Sequence, residues 1–345
     1  MISLASATTA QPALRPRTAP ASGDAEFLTI GIDVGGTKVA CVVTDAMDDI
    51  LHHEVEPTDR ARLTEQIAQL AARAHSAVVR NDGRRVAAIG IAIPGQVEPR
   101  RGTADLAVNL GGLGMDLGST VTDQTGLPSF VEHDARAAAM WVHRRRGGDL
   151  CYLSVGTGIA AGIVLDGRPL AGETGLAGEV GHTVVDPNGR SCPCGSVGCL
   201  ETIAAGPAMA RAAREALAAN RPTALTAGAT AADVFRAAAG GDEVARQIVE
   251  DAAMQLARTL RTLVLTLGVQ RIVIGGGVAG AGDALLNPIL AALNVERARS
   301  PLVETAFAAA SIELLPPDLE PGARGAALIA RHRIGGLERG EVAER

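Results

Sequence analysis

Twice in this chain a pair of apolar, β-branched strands is joined across a short glycine turn. The first unit is "FLTIGIDVGGTKVACVVTD" at residues 27–45, the second "CYLSVGTGIAAGIVLDG" at residues 151–167. Apolar runs broken only by such a turn read as hairpins, and the second repeats the first with "GTG" in place of "DVGGT". The repetition implies an internal duplication. Helical periodicity over residues 62–79, 135–145, 207–219 and 242–267, with strands at 86–93 and 271–274, predicts a partly parallel, helix-covered sheet in each half. A helix at about 322–332 closes the fold, and the breaker-rich stretch 93–114 is expected to be a loop or lid beside a cleft.

With 345 residues the chain exceeds the size at which one core usually divides. Its 47% hydrophobic residues and 41 glycines suit a soluble α/β protein. Aromatic residues make up only 2% and the net charge is −6, which argues against a stacking platform or a basic face for nucleic acid. The basic run "HRRRGG" at 143–148 reads as a solvated helix end. No apolar run approaches the ~20 residues that span a bilayer. Residues 1–25 are rich in Ala, Thr, Ser and Pro without an apolar core segment, so a disordered tail is expected there rather than a secretory signal. The cytoplasm is the expected compartment, where clustered cysteines point to metal or redox chemistry before disulfides.

In "GIDVGGTK", Gly35 and Gly36 let backbone N–H groups approach an oxyanion, while Thr37 and Lys38 add a hydroxyl and a cation suited to phosphate. Asp33 at the strand end can hold Mg²⁺ through water; an ordinary hairpin with a turn aspartate is the alternative. The second turn, Gly156, Thr157 and Gly158, offers another set of donors, and two facing phosphate loops suggest a nucleotide held between two domains. A third cluster, "IVIGGGVAGAGD" at 272–283, has Gly275, Gly277 and Gly280 at dinucleotide-fold spacing. No acidic strand end follows where a ribose partner belongs, so this motif is read instead as bordering ATP or as tight strand-to-helix packing. In "FVEHDARAAA" the strand end delivers Glu132, His133 and Asp134 to a helix start. Asp134 can cap that helix or, in a phosphotransferase, accept a proton from an attacking hydroxyl.

Three of the five cysteines lie close together in "GHTVVDPNGRSCPCGSVGCLE". Cys192, Cys194 and Cys199, with His182 upstream, make up a Cys₃His set with no open position, the donor set of a structural zinc. A redox pair or inert core cysteines are the alternatives. Imidazole has two nitrogens, so His182 can ligate zinc with one and present the other to a substrate hydroxyl. Cys41 and Cys151 fall in strands and read as small core residues.

"GIDVGGTK", "GTG", "GETGLAGEVGHTVVDPNGRSCPCGSVGCLE" and "IGGGVAGAGDALLNP" together resemble the ROK family (repressor, open reading frame, kinase), in order from about residue 27 to about 333. The resemblance implies two actin-like ATPase domains of ribonuclease-H-like fold closing on sugar and ATP. On that division residues 26–132, with a C-terminal helix at about 322–335, form the smaller domain, and residues 133–321 the larger, with a zinc loop at 182–199. It implies a phosphate-binding role for Asp33, Gly35, Gly36, Thr37, Lys38, Gly156, Thr157 and Gly158, an adenosine border at Gly275, Gly276 and Gly277, and Asp134 as catalytic base. Asn109, His133, Glu179, His182 and Glu201 would bind sugar, and His182, Cys192, Cys194 and Cys199 would bind zinc. A homodimer is the family expectation. The family pattern has Asn-Asp where this chain has His133-Asp134, and a small polar residue where it has Arg136. The expected activity is ATP- and Mg²⁺-dependent phosphorylation of a hexose at its primary hydroxyl, with glucose leading and N-acetylmannosamine, N-acetylglucosamine or fructose as alternatives. A sugar-sensing regulator is disfavoured because no helix-turn-helix precedes Asp33.

Overall fold

The computed structural model describes residues 27–107 and 112–338. The first hairpin forms as expected from β1 (Phe27–Val34) and β2 (Lys38–Thr44), and β3 (Ile50–Pro57) extends it antiparallel. Helix α1 (Leu63–Asn81) crosses to β4 (Arg85–Ile93), which lies parallel to β1. The stretch expected to be a loop is instead a small antiparallel sheet of β5 (Gln96–Glu98), β6 (Thr103–Ala107) and β7 (Gly112–Asp116). Its breakers have a physical use: Gly95, Gly102 and Gly114 have positive φ, the turn geometry that such short strands need. Helix α2 (Leu117–Thr125) and β8 (Ser129–His133) follow, and β8 closes a five-stranded sheet ordered β3-β2-β1-β4-β8.

Helix α3 (Asp134–Arg146) leads into the second half, where β9 (Leu150–Val155), β10 (Ile159–Leu165) and β11 (Arg168–Pro169) repeat the meander. Helices α4 (Glu201–Ala204), α5 (Gly206–Ala218), α6 (Ala231–Ala239) and α7 (Glu243–Leu267) precede β12 (Arg271–Gly275). After α8 (Asp283–Arg299) and α9 (Pro301–Phe307) comes β13 (Ser311–Leu314), and the chain ends in α10 (Pro321–Glu338). The second sheet is ordered β11-β10-β9-β12-β13, strand for strand the order of the first, which is the duplication anticipated from the paired hairpins.

Strand periodicity explains how each sheet is covered. Along β1, Leu28, Ile30 and Ile32 enter one core together with Ile67 and Leu70 of α1. The alternate positions face α10, and there Gly31 and Gly90 let the helix backbone lie directly on the strands. A Cβ on either would collide with the carbonyl oxygen of Ala323 or Ala326. The second sheet mirrors this: Leu153, Val155, Ile272 and Ile274 pack with α7 and α8, while Gly162 receives α3 at Ala135. Thus α3, which follows the last strand of the first sheet, covers the second, and α10, which follows the last strand of the second, covers the first. The two helices touch where Gly325 meets the Ala137 carbonyl. Arg324 and Arg331 fasten α10 to the first sheet, donating to Asp48 Oδ1 (3.0 Å) and to Phe27 O (2.9 Å). Among the described residues no helix is long and apolar enough to cross a membrane.

Candidate active site

A cleft of about 1320 Å³ is bordered by the two glycine turns. The first turn is held from behind. Thr58 Oγ1 donates to Gly35 O (2.7 Å), Arg60 Nη2 to Gly36 O (3.1 Å) and Thr58 N to Thr37 O (3.2 Å). In a trans peptide the N–H points opposite to the C=O, so the amides that follow these carbonyls turn away from residues 58–60 toward the cleft, as an oxyanion requires. The second turn is anchored by Gly206 N, which donates to Gly156 O (2.9 Å). The two turns meet: a Cβ on Gly36 would sit 3.2 Å from the Thr157 methyl carbon. Lys38 Nζ donates to Glu320 Oε1 (2.9 Å), and Glu320 is buried at φ 46° immediately before α10. Burial, then the neighbouring Asp134 and Glu320 carboxylates, push the Asp33 carboxyl from its ordinary 3.8 up to about 7, against the pull of Lys38. Such a surplus of carboxylates suits a divalent cation held at Asp33.

Close to Asp33, Asp134 opens α3 and its Oδ1 accepts the Ala135 N–H (2.6 Å). His133 is 1% exposed. Its Nε2 lies 2.9 Å from Glu179 Oε1 and its Nδ1 3.4 Å from Asp134 Oδ1. Burial raises the Glu179 pKa, and its hydrogen bond to His133 with the nearby positive charge lowers it further than that, to below the usual carboxylate range. His182 stands between two tasks: Nδ1 is 3.6 Å from Cys192 Sγ, while Nε2 is 3.8 Å from Glu179 Oε2. Its Nδ1 is also 3.7 Å from Glu201 Oε1, the first residue of α4.

The donor atoms of His182, Cys192, Cys194 and Cys199 all lie within 4.8 Å of one another, and Cys194 Sγ is 3.6 Å from Cys199 Sγ. Ligands ~2.3 Å from a tetrahedral centre stand just under 4 Å apart, so the set fits zinc. The loop can fold so tightly because Gly198, at φ 75°, lies against the Asp186 carbonyl, where a side chain has no room.

Every residue of the two glycine turns and Asp33 borders the cleft, as do His133, Asp134, Glu179, His182, Glu201, Gly276 and Gly277. Gly275 does not; it lies against the Tyr152 ring, a Cβ there falling 2.6 Å from Tyr152 Cε2. Asn109 lies outside the described residues. Sequence reasoning missed Thr58, Arg60 and Glu320. No local pattern marks the first two, since their partners are carbonyls more than twenty residues away. Glu320 had a weak signal, a carboxylate among prolines just before a helix.

Paired sheets of one topology, with two glycine turns meeting over a cleft and an aspartate opening a helix beside it, define the actin-like ATPase fold. Residues 29–333 match the ROK family, and the chain belongs to it. It is 34% identical over 275 residues to a glucokinase from Halalkalibacterium halodurans, covering 75% of this chain and 83% of that one. It is 36% identical over 282 residues to an N-acetylmannosamine kinase from Salmonella arizonae, covering 78% and 89%. Among solved structures it resembles a ROK glucokinase from Streptomyces griseus in complex with glucose and AMPPNP, with TM-score 0.74, 30% identity and coverage of 88% and 99%. A ROK transcriptional regulator shares the fold at TM-score 0.76 and 23% identity.

Proposed function

We propose that the protein is an ATP-dependent sugar kinase that phosphorylates the primary hydroxyl of a hexose, with glucose as leading substrate and N-acetylmannosamine as the alternative. The observation that carries this reading is that Asp134, both glycine turns and Glu179, His182 and Glu201 line one cleft. Relatives at 34% and 36% identity, named for those two sugars, support both substrates equally.

In this reading residues 26–132 with α10 form one lobe and 133–321 the other. Amides of Gly36 to Lys38 and of Thr157 and Gly158 cradle the phosphates, those of Gly35 and Gly156 donating within their own turns, and Lys38 exchanges Glu320 for a phosphate oxygen. Gly276 and Gly277 border the adenosine. Glu179, His182 Nε2 and Glu201 receive ring hydroxyls, and Asp134 takes the proton of the attacking hydroxyl. Alignment and charge neutralisation supply most of the acceleration, because phosphoryl transfer passes through a loose transition state. Asp33 would hold Mg²⁺, which when bound shields the charge of the triphosphate. His182, Cys192, Cys194 and Cys199 would hold zinc, which orders the loop that presents Glu179 and Glu201. The test is a panel of hexoses and amino sugars with ATP and Mg²⁺, read by coupled ADP detection; no ADP with any sugar refutes the kinase.

A further inference from the structure

His133 ends β8, and its imidazole stands between two carboxylates on separate elements: Asp134 at the start of α3 and Glu179 just before the short turn Val180–His182. Nε2 is hydrogen-bonded to Glu179 at 2.9 Å, while Nδ1, buried and without a hydrogen-bond partner, stands 3.4 Å from Asp134 Oδ1, within ion-pair distance. A neutral imidazole has one N–H and one lone pair, so it would set that lone pair against one of the two carboxylates. Only the doubly protonated ring presents a proton to each.

The surroundings hold this ring in place. The His133 amide donates to Glu132 Oε1 (2.8 Å), which also accepts from Arg136 Nε (2.7 Å). Arg136, fully buried, then donates through Nη1 to Gly175 O (2.8 Å), in the segment that leads to Glu179. The charged groups facing the imidazole are therefore Asp134 and Glu179, which favour its protonated form, and Arg136, which opposes it. Burial draws the His133 pKa down, and the two carboxylates outweigh burial and Arg136, leaving it above its ordinary value.

We infer that His133 is a positioning residue that ties the Asp134 carboxylate to the Glu179 carboxylate, fixing the proton acceptor relative to the hydroxyl acceptor rather than contacting the sugar itself. The inference rests on the sugar-kinase reading for its catalytic consequence, while the tie itself does not. It also accounts for the pair of departures from the family pattern: His133 supplies the bridge, and Arg136 braces it from below through Glu132 and Gly175.

The two nitrogens can be removed separately, because an asparagine amide reaches about as far as Nδ1 and a glutamine amide about as far as Nε2. His133→Asn keeps a donor for Asp134 and loses Glu179, so sugar KM should rise ~10-fold or more with kcat nearly kept. His133→Gln keeps Glu179 and loses the positive charge beside Asp134, so kcat should fall ~10-fold or more with KM nearly kept; the first loss is the size of one charge-assisted hydrogen bond, the second that of one buried ion pair. His133→Ala should show both losses. The tie is tested without turnover by thermal unfolding at constant zinc content. His133→Asn and Glu179→Gln should each lower Tm by a similar amount, and the double variant no further than either alone. Equal changes in kcat and KM for Asn and Gln overturn the positioning role. Additive Tm losses overturn the tie, whether or not any sugar is phosphorylated.

Discussion

Replacing Asp33 by asparagine should make the empty protein more stable, and increasingly so as pH rises. With its folded pKa at about 7 and its ordinary value at 3.8, Asp33 holds its proton in the folded protein after the unfolded chain has released it. Below pH 3.8 both states are protonated and nothing is lost. Between 3.8 and about 7 the unfolded state binds fewer protons, so stability falls with pH through that window. At about 1.36 kcal/mol per pH unit the whole loss has a ceiling of about 4 kcal/mol, of which somewhat more than half falls between pH 5 and pH 8. Asp33→Asn lacks this titration, so its stability relative to wild type should improve by about 2 to 3 kcal/mol from pH 5 to pH 8. In thermal unfolding without nucleotide or Mg²⁺, the Tm difference should widen by ~4–6 °C over that range. Adding Mg²⁺ and ATP should narrow it, since both favour the ionised carboxylate, and kinase activity of the variant should be lost. A Tm difference that stays constant from pH 5 to pH 8 refutes the reasoning, because a purely packing effect has no such dependence.

Asp134→Asn should lower kcat by at least ~10² with sugar affinity largely kept, measured by coupled assay and calorimetry. Elemental analysis should find about one zinc per chain, and Cys194→Ser should lose it together with sugar affinity while ATP affinity stays within about twofold. Gly31→Ala places a methyl 2.7 Å from the Ala327 amide nitrogen and closer still to the Ala323 carbonyl, so it should cost ~1–3 kcal/mol in denaturant unfolding. His182→Ala should lose zinc and weaken sugar binding together; zinc loss with normal sugar affinity would separate the two roles of its ring.

The elements with strong local signals were legible in the sequence. Both hairpins, the long helix α7, the strand β12 and the Cys₃His set stand where spacing put them. What stayed hidden depends on partners distant in sequence. Gly31 and Gly162 read as ordinary strand glycines until α10 and α3 are laid against them. The clamp of Thr58 and Arg60 on the first turn consists of bonds to backbone oxygens, which leave no trace in residue type. In residues 93–114 the glycines resemble loop breakers, whereas strands as short as β5 to β7 need a turn every few residues. His133 is visible in sequence only as an unusual residue beside Asp134, and its contact with Glu179, 46 residues away, required three dimensions.

The exchange of covering helices has a consequence for how the chain acquires its structure during synthesis. β1 and β4 emerge early, and α1 can cover one face of them at once. The other face, with Gly31, Gly90 and Ala92, waits for α10, which is made after the whole second half. Because domains generally complete themselves in the order they are translated, the first lobe must remain half-covered while nearly all of the second is built. A nascent chain arrested before residue 321 should therefore present an open sheet face to chaperones, even though every strand of both sheets has already been made.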